Sequence, residues 1–222
     1  MLLDIISGGG SWFLLVSGVL ASLAAVFILL PFHEFAHAKM AVLLGDNTPK
    51  NTGRLTLNPF AHIDYLGAAA LILIGFGWAR PVQVNMYNFK NPKRDMALTA
   101  LAGPISNLLM ALVFSFVGYA VYFFFQNNVT FTVFYILRYM SVLSVSLAVF
   151  NFIPIPPLDG SRVLTSLLPD RTYYRLMSLE RYSTIIIFGI ILLLNRTGIF
   201  SGIVYSVLNV IDFIVGLPFN LF

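Results

Sequence analysis

The sequence predicts an all-α polytopic membrane protein of about five to six transmembrane helices, with a short re-entrant or interfacial segment and room for a small membrane-associated β-sheet. Two observations carry that reading. Of 222 residues, 59% are hydrophobic and only 10% are charged, and the mean hydropathy is +0.87. A soluble domain carries about 25% charged residues, so this chain cannot cover a water-facing surface. Soluble enzymes, nucleic-acid modules and disordered regulators are excluded. The net charge of +4 then reports membrane orientation rather than a nucleic-acid partner. There is no cysteine, which removes disulfides, thiol nucleophiles and Cys-ligated metals.

The apolar runs give the elements in order. Ser11–Gly45 is interrupted by Pro31 and by the polar cluster His33, Glu34 and His37. As one helix of about 35 residues it would measure roughly 50 Å, well beyond the roughly 30 Å hydrocarbon core; one kinked helix or two pieces both fit. Residues 1–10 hold Asp4 and no Lys or Arg, unlike a cleavable signal peptide. Tyr65–Trp78 is short for a crossing and reads as the re-entrant or interfacial segment. Met96–Phe125 and Phe131–Leu158 are long enough to cross and are separated by the Gln126-Asn127-Asn128 turn. Tyr182–Asn195 and Gly198–Leu217 form a last, shorter pair. The whole chain, 1–222, is expected to be one integral-membrane domain, with core motifs over 27–162 and additional helices over 182–217.

Basic residues orient this layout. If Tyr65–Trp78 does not cross, Lys50, Arg54, Arg80, Lys90, Lys93 and Arg94 lie on one side, and Arg162, Arg171, Arg175 and Arg181 return to it after two crossings. The Gln126–Thr130 turn has none. The positive-inside rule then puts the N-terminus outside, with five crossings.

Three histidines and nine acids are the inventory for chemistry. His33-Glu34-Phe35-Ala36-His37 is an H-E-x-x-H. Residues four apart lie on one helix face, so both imidazoles can clamp one metal, while Glu34 can reach a water at that metal. Three ionisable groups inside an apolar run are expensive unless used. Two histidines leave a catalytic zinc site short of its usual third protein ligand. Asp159 is the leading candidate, because Pro154, Pro156 and Pro157 force extended backbone just before it. Irregular backbone at membrane depth is tolerated where it is buried in protein or lines a wet cavity. Asp46 and Asp64 compete for the third position, without a comparable break beside them.

H-E-F-A-H in one membrane segment, followed by Asn151-Phe-Ile-Pro154-Ile-Pro156-Pro157-Leu-Asp159-Gly160 in a later one, resembles the site-2 protease family of intramembrane zinc metalloproteases. Gly103-Pro104-Ile105-Ser106-Asn107 resembles a family element between them. Gly45-Asp46, Gly53-Arg54 through Asn58-Pro59, and Gly77-Trp78-Ala-Arg80-Pro81 resemble the short members that lack an appended soluble domain. The resemblance implies one zinc ion per chain on His33, His37 and Asp159, with Glu34 as catalytic acid/base. It implies peptide-bond hydrolysis within or beside a transmembrane segment of a membrane-protein substrate in the lipid bilayer, from an active site toward the cytoplasmic side of the cell membrane. Asn107 matches the family asparagine; its amide could bind a substrate backbone or help an oxyanion, or it could join two helices. Asn151 is expected to orient the extended segment.

The alternating runs Arg54–Leu57 and Pro81–Asn85 could form short strands near the cytoplasmic surface and hold unwound substrate by strand addition. His62 reads as a structural loop histidine that could also regulate access. Arg138 and Asp212 are expected to snorkel or pair, and Trp78 and Tyr122–Phe125 to anchor at the interface. The serine and aspartyl intramembrane motifs G-x-S-G and G-x-G-D are absent. A transporter with a midplane metal site is the rival class, but its mechanism has no special need for Glu34, and the interruptions at Pro31 and Pro154 are dissimilar.

Overall fold

The computed structural model describes residues 19–20, 23–74, 78–169, 172, 176 and 178–219. Residues 11–18 and 21–22 of the first apolar run, Gly77, Arg171 and Arg175 fall outside them. Helix α1 (Leu30–Leu43) continues directly from a π-helical turn, Ala25–Leu29. Pro31 has no N–H to return to the preceding turn. Just before it the ladder widens, with the Leu30 amide donating to the Ala25 carbonyl; such a bulge absorbs the irregularity without breaking the rod. The described part of the first run is therefore one helical rod, Ala25–Leu43, of 19 residues, roughly 28 Å.

Helix α2 (Tyr65–Ile74) has ten residues, about 15 Å, half of a hydrocarbon core. Asp64 starts it by accepting from the Leu66 and Gly67 amides at 3.0 Å each. The chain returns beside its own entry through a bridge between Ile63 and Ala79, where the Arg80 amide donates to the His62 carbonyl at 2.8 Å. The two ends of this short helix thus lie side by side, as in a hairpin.

Among the described residues this bridge is the whole of the β-structure, so the small sheet over Arg54–Leu57 and Pro81–Asn85 is not formed. Its donors are engaged elsewhere. Pro81 has no N–H, the Val82 amide donates to Glu34 Oε2, and the Asn85 amide donates to Asp46 Oδ2.

Helix α3 (Pro92–Phe125) runs 34 residues and starts earlier than the apolar run. Pro92 suits a first helical turn, and the Asp95 carboxylate accepts from the Asn91 amide. It ends at Gln126 in the left-handed region. Asn127 and Thr130 then form a capping box that starts α4 (Asn128–Asn151), seven residues short of the expected Leu158. Small and hydroxyl side chains join α3 to α4: Ser115 Oγ lies 2.8 Å from Ser141 Oγ, and Ser144 Oγ donates to the Asn107 carbonyl at 2.7 Å. Such contacts hold helices where lipid offers no hydrophobic drive.

After the short helix α5 (Asp159–Ser166) come α6 (Ser183–Thr197) and α7 (Ile199–Gly216). The buried cluster Ala111, Val145, Val204, Leu208, Ile211 and Val215 joins α3, α4 and α7. Arg138 of α4 and Asp212 of α7 pair at 2.5 Å. Among the described residues four helices are long and apolar enough to cross a membrane: Ala25–Leu43, Pro92–Phe125, Asn128–Asn151 and Ile199–Phe219. The protein is an integral membrane protein. Helix α6, at 15 residues or about 22 Å, is shorter than the hydrocarbon core, so length alone does not bring the count to the expected five to six.

Candidate active site

The four-residue spacing puts both α1 histidines on one buried face. Their rings meet edge to face, with centroids 4.6 Å apart and Nε2 atoms 3.0 Å apart. Asp159 arrives from the other end of the core. Helix α4 stops at Asn151, and the proline-rich stretch carries the chain to extended Leu158, from which α5 begins at Asp159. Gly160 lets that stretch fold back: a Cβ there would lie 2.2 Å from the Phe152 carbonyl oxygen. Asp159 Oδ2 thereby comes within 3.2 Å of His33 Nε2 and 3.3 Å of His37 Nε2.

These three distances test the fit to zinc. Ligand bonds of about 2.0–2.1 Å at tetrahedral angles place neighbouring ligand atoms roughly 3.3–3.4 Å apart. The observed edges of 3.0, 3.2 and 3.3 Å nearly match. His37 Nδ1 lies 2.7 Å from the Thr99 carbonyl oxygen. A carbonyl can only accept, so Nδ1 carries the proton and Nε2 offers a lone pair. Asp159 Oδ2 is buried with no hydrogen-bond donor. An orphaned carboxylate oxygen facing imidazole nitrogens is the donor set of a zinc site with a position left for water or substrate.

Glu34 is buried beside this group, and its Oε2 accepts from the Val82 amide at 2.9 Å. All four side chains line one cavity of about 820 Å³, walled by Leu143, Leu147 and Phe150 of α4 and by Ile187 and Ile191 of α6. Trp78, expected as an interface anchor, lies at its edge, half exposed. A second hollow of about 730 Å³, at the start of α3, holds none of these residues.

The competing acids are engaged elsewhere. Asp46 is buried and accepts from the Thr48 amide and hydroxyl, the Asn85 amide and the Asn88 side chain. Burial raises the pKa of its carboxyl, but these donors outweigh burial and hold it below the usual aspartate value. Asp64 caps α2. His62 is buried and lies 2.8 Å from the Thr56 carbonyl, a loop contact away from the cluster. Asn151 donates to the Leu147 carbonyl in its own helix.

Asn107 is fully buried, with its amide nitrogen 3.1 Å from His33 Nδ1. It stands behind the imidazole and does not line the cavity. Three partners escaped the sequence reading. The Val82 amide and the Thr99 carbonyl are backbone groups that any residue type could supply. Gly103 stood in the sequence only as part of the Gly103–Asn107 segment, without its neighbours: a Cβ there would sit 2.3 Å from His37 Nε2 and 2.6 Å from His33 Cε1.

Comparison with known proteins agrees with this geometry. Residues 21–195 match Peptidase family M50. The chain is 36% identical over 180 residues to "Putative zinc metalloprotease YwhC" of Bacillus subtilis, covering 80% of each chain. It is 30% identical over 186 residues to "Putative zinc metalloprotease Rip2" of Mycolicibacterium smegmatis, covering 80% of this chain and 66% of that one. The Mycobacterium tuberculosis protein of the same name is 27% identical over 202 residues, with 88% and 73% covered. No solved structure matches. A two-histidine, one-aspartate cluster among membrane-length helices and a family match that spans both motifs point the same way: the chain belongs to Peptidase family M50, the site-2 protease family of zinc metalloproteases.

Proposed function

We propose that this protein is an intramembrane endopeptidase that hydrolyses peptide bonds within or next to the transmembrane segment of membrane-protein substrates. The observation that carries the reading is the convergence of His33, His37 and Asp159 at 3.0–3.3 Å in a cavity among membrane-length helices, with Glu34 beside them. His33, His37 and Asp159 hold one zinc ion. Zinc supplies a Lewis acid that lowers the pKa of water and polarises a carbonyl.

Glu34 moves the protons. The Val82 amide fixes one carboxylate oxygen, and the other takes a proton from the attacking water and delivers it to the leaving amine. The apolar walls from α4 and α6 receive the unwound substrate segment and keep bulk water away. The basic residues from Lys50 to Arg94 support an orientation of this end toward the cytoplasm, with α6 as a fifth crossing. The domain, 1–222, works as one membrane unit, with no nucleic-acid partner.

The test is zinc content and cleavage of a single-span reporter by the purified protein in liposomes. Glu34→Gln retains zinc and loses cleavage, whereas His37→Ala and Asp159→Ala lose both. Cleavage surviving in Glu34→Gln would overturn the assignment.

A further inference from the structure

We propose that Asn107 is a positioning residue that sets the tautomer of His33: its side-chain carbonyl accepts from Nδ1–H, so that Nε2 presents a lone pair to the metal. The proposal rests on the zinc site described above. Helix α3 passes behind the α1 histidines with Thr99, Gly103 and Asn107 spaced by four, hence on one face. Gly103 brings that face against both rings. The Thr99 carbonyl takes the Nδ1 proton of His37 at 2.7 Å, and Asn107 occupies the equivalent place behind His33 at 3.1 Å.

The orientation of the amide follows from its surroundings. With its nitrogen toward Nδ1, Asn107 would donate to the ring and drive the His33 proton onto Nε2. That proton would point at His37 Nε2 and Asp159 Oδ2 and block metal binding. The same orientation leaves Asn107 Oδ1 buried with no donor. Amide oxygen and nitrogen are assigned from their partners, and turning the amide over gives Oδ1 the Nδ1 proton. Helix α3 is held against α4 at this point, since the backbone carbonyl of Asn107 accepts from Ser144 Oγ at 2.7 Å. A partner that fixes tautomer and ring orientation typically changes metal affinity about 10–100-fold.

The test is zinc affinity of the full-length purified protein by chelator competition, with cleavage at saturating zinc and 15N spectra of its labelled histidines. Asn107→Leu should bind zinc roughly 10–100-fold more weakly and show the Nε2–H tautomer of His33 in the metal-free protein. Asn107→Asp, which can only accept, should bind zinc close to wild type, separating the hydrogen bond from any packing defect. Wild-type affinity in Asn107→Leu together with lost cleavage at saturating zinc would overturn the proposal and place the amide on substrate. Equal loss of affinity in both variants would also overturn it. A wild-type protein that binds no zinc would remove the metal site itself, a distinct failure.

Discussion

The backbone amide of Val82 donates a 2.9 Å hydrogen bond to Oε2 of Glu34, joining the returning arm of the α2 hairpin to the acid of the H-E-x-x-H helix. One oxygen is thereby fixed by an element outside the motif. Hydrogen bonds to charged groups contribute about 1.5–3 kcal/mol. Val82→Pro removes the donor, so cleavage should fall on the order of 10-fold or more while zinc content stays at the wild-type level. Val82→Ala keeps the N–H and should cleave normally. Zinc analysis beside a reporter assay checks both.

Gly103→Ala should be disabling. The added methyl would meet His37 Nε2 at 2.3 Å and His33 Cε1 at 2.6 Å, and neither ring can yield without leaving its Nδ1 partner on α3. Overpacking of this kind costs about 1–3 kcal/mol. Zinc should be lost together with cleavage, and thermal unfolding should move down; retained zinc would show that the rings have room.

Asp46 gives the loops between α1 and α3 a pH-dependent tie. An aspartate in the unfolded chain titrates near 3.9, and the donors from Thr48, Asn88 and Asn85 overcome burial to place the folded value lower. Its contribution is therefore complete above about pH 4 and is lost as pH falls through the folded value. Asp46→Ala should destabilise by about 2–3 kcal/mol at pH 7 through its stranded partners, without reducing zinc content. The gap to wild type, read from melts at several pH values, should close below about pH 4.

Arg138 and Asp212 form an ion pair whose side chains keep 27% and 13% of their surface exposed. Removing one partner from a buried pair costs roughly 3–5 kcal/mol, whereas replacing both with apolar residues is often neutral. Partial exposure lowers the first figure to about 2–3 kcal/mol. Arg138→Ala should lower the melting temperature clearly, and Arg138→Met with Asp212→Leu should restore most of it.

The chemistry was more legible than the geometry that supports it. His33, Glu34 and His37 announce themselves because ionisable groups in an apolar run need a use, and Asp159 because three prolines mark the irregular chain that delivers it. The helix-breaking turn at Gln126–Asn127 was equally plain. The strands expected over Arg54–Leu57 and Pro81–Asn85 were misread because alternation reports a pattern of side chains, not where the amides go. Here the Val82 and Asn85 amides go to carboxylates. Helix α3 began before its apolar run because Pro92 and Asp95 favour a helical first turn in water, where hydropathy carries no signal. Asn107 was visible as a polar residue beside Gly103-Pro104, but only the fold shows which atom of His33 it meets.

The orphaned Oδ2 of Asp159 also has a mechanical meaning. His33 and His37 on α1 and Asp159 at the start of α5 bring ligand atoms from two distant stretches of the chain to one point. A cation bound there is a clasp between α1 and α5, so occupancy and folding are thermodynamically linked. Each tenfold rise of free zinc above its dissociation constant adds about 1.4 kcal/mol to the closed state, and metal supply becomes a determinant of how long the chain survives in its bilayer.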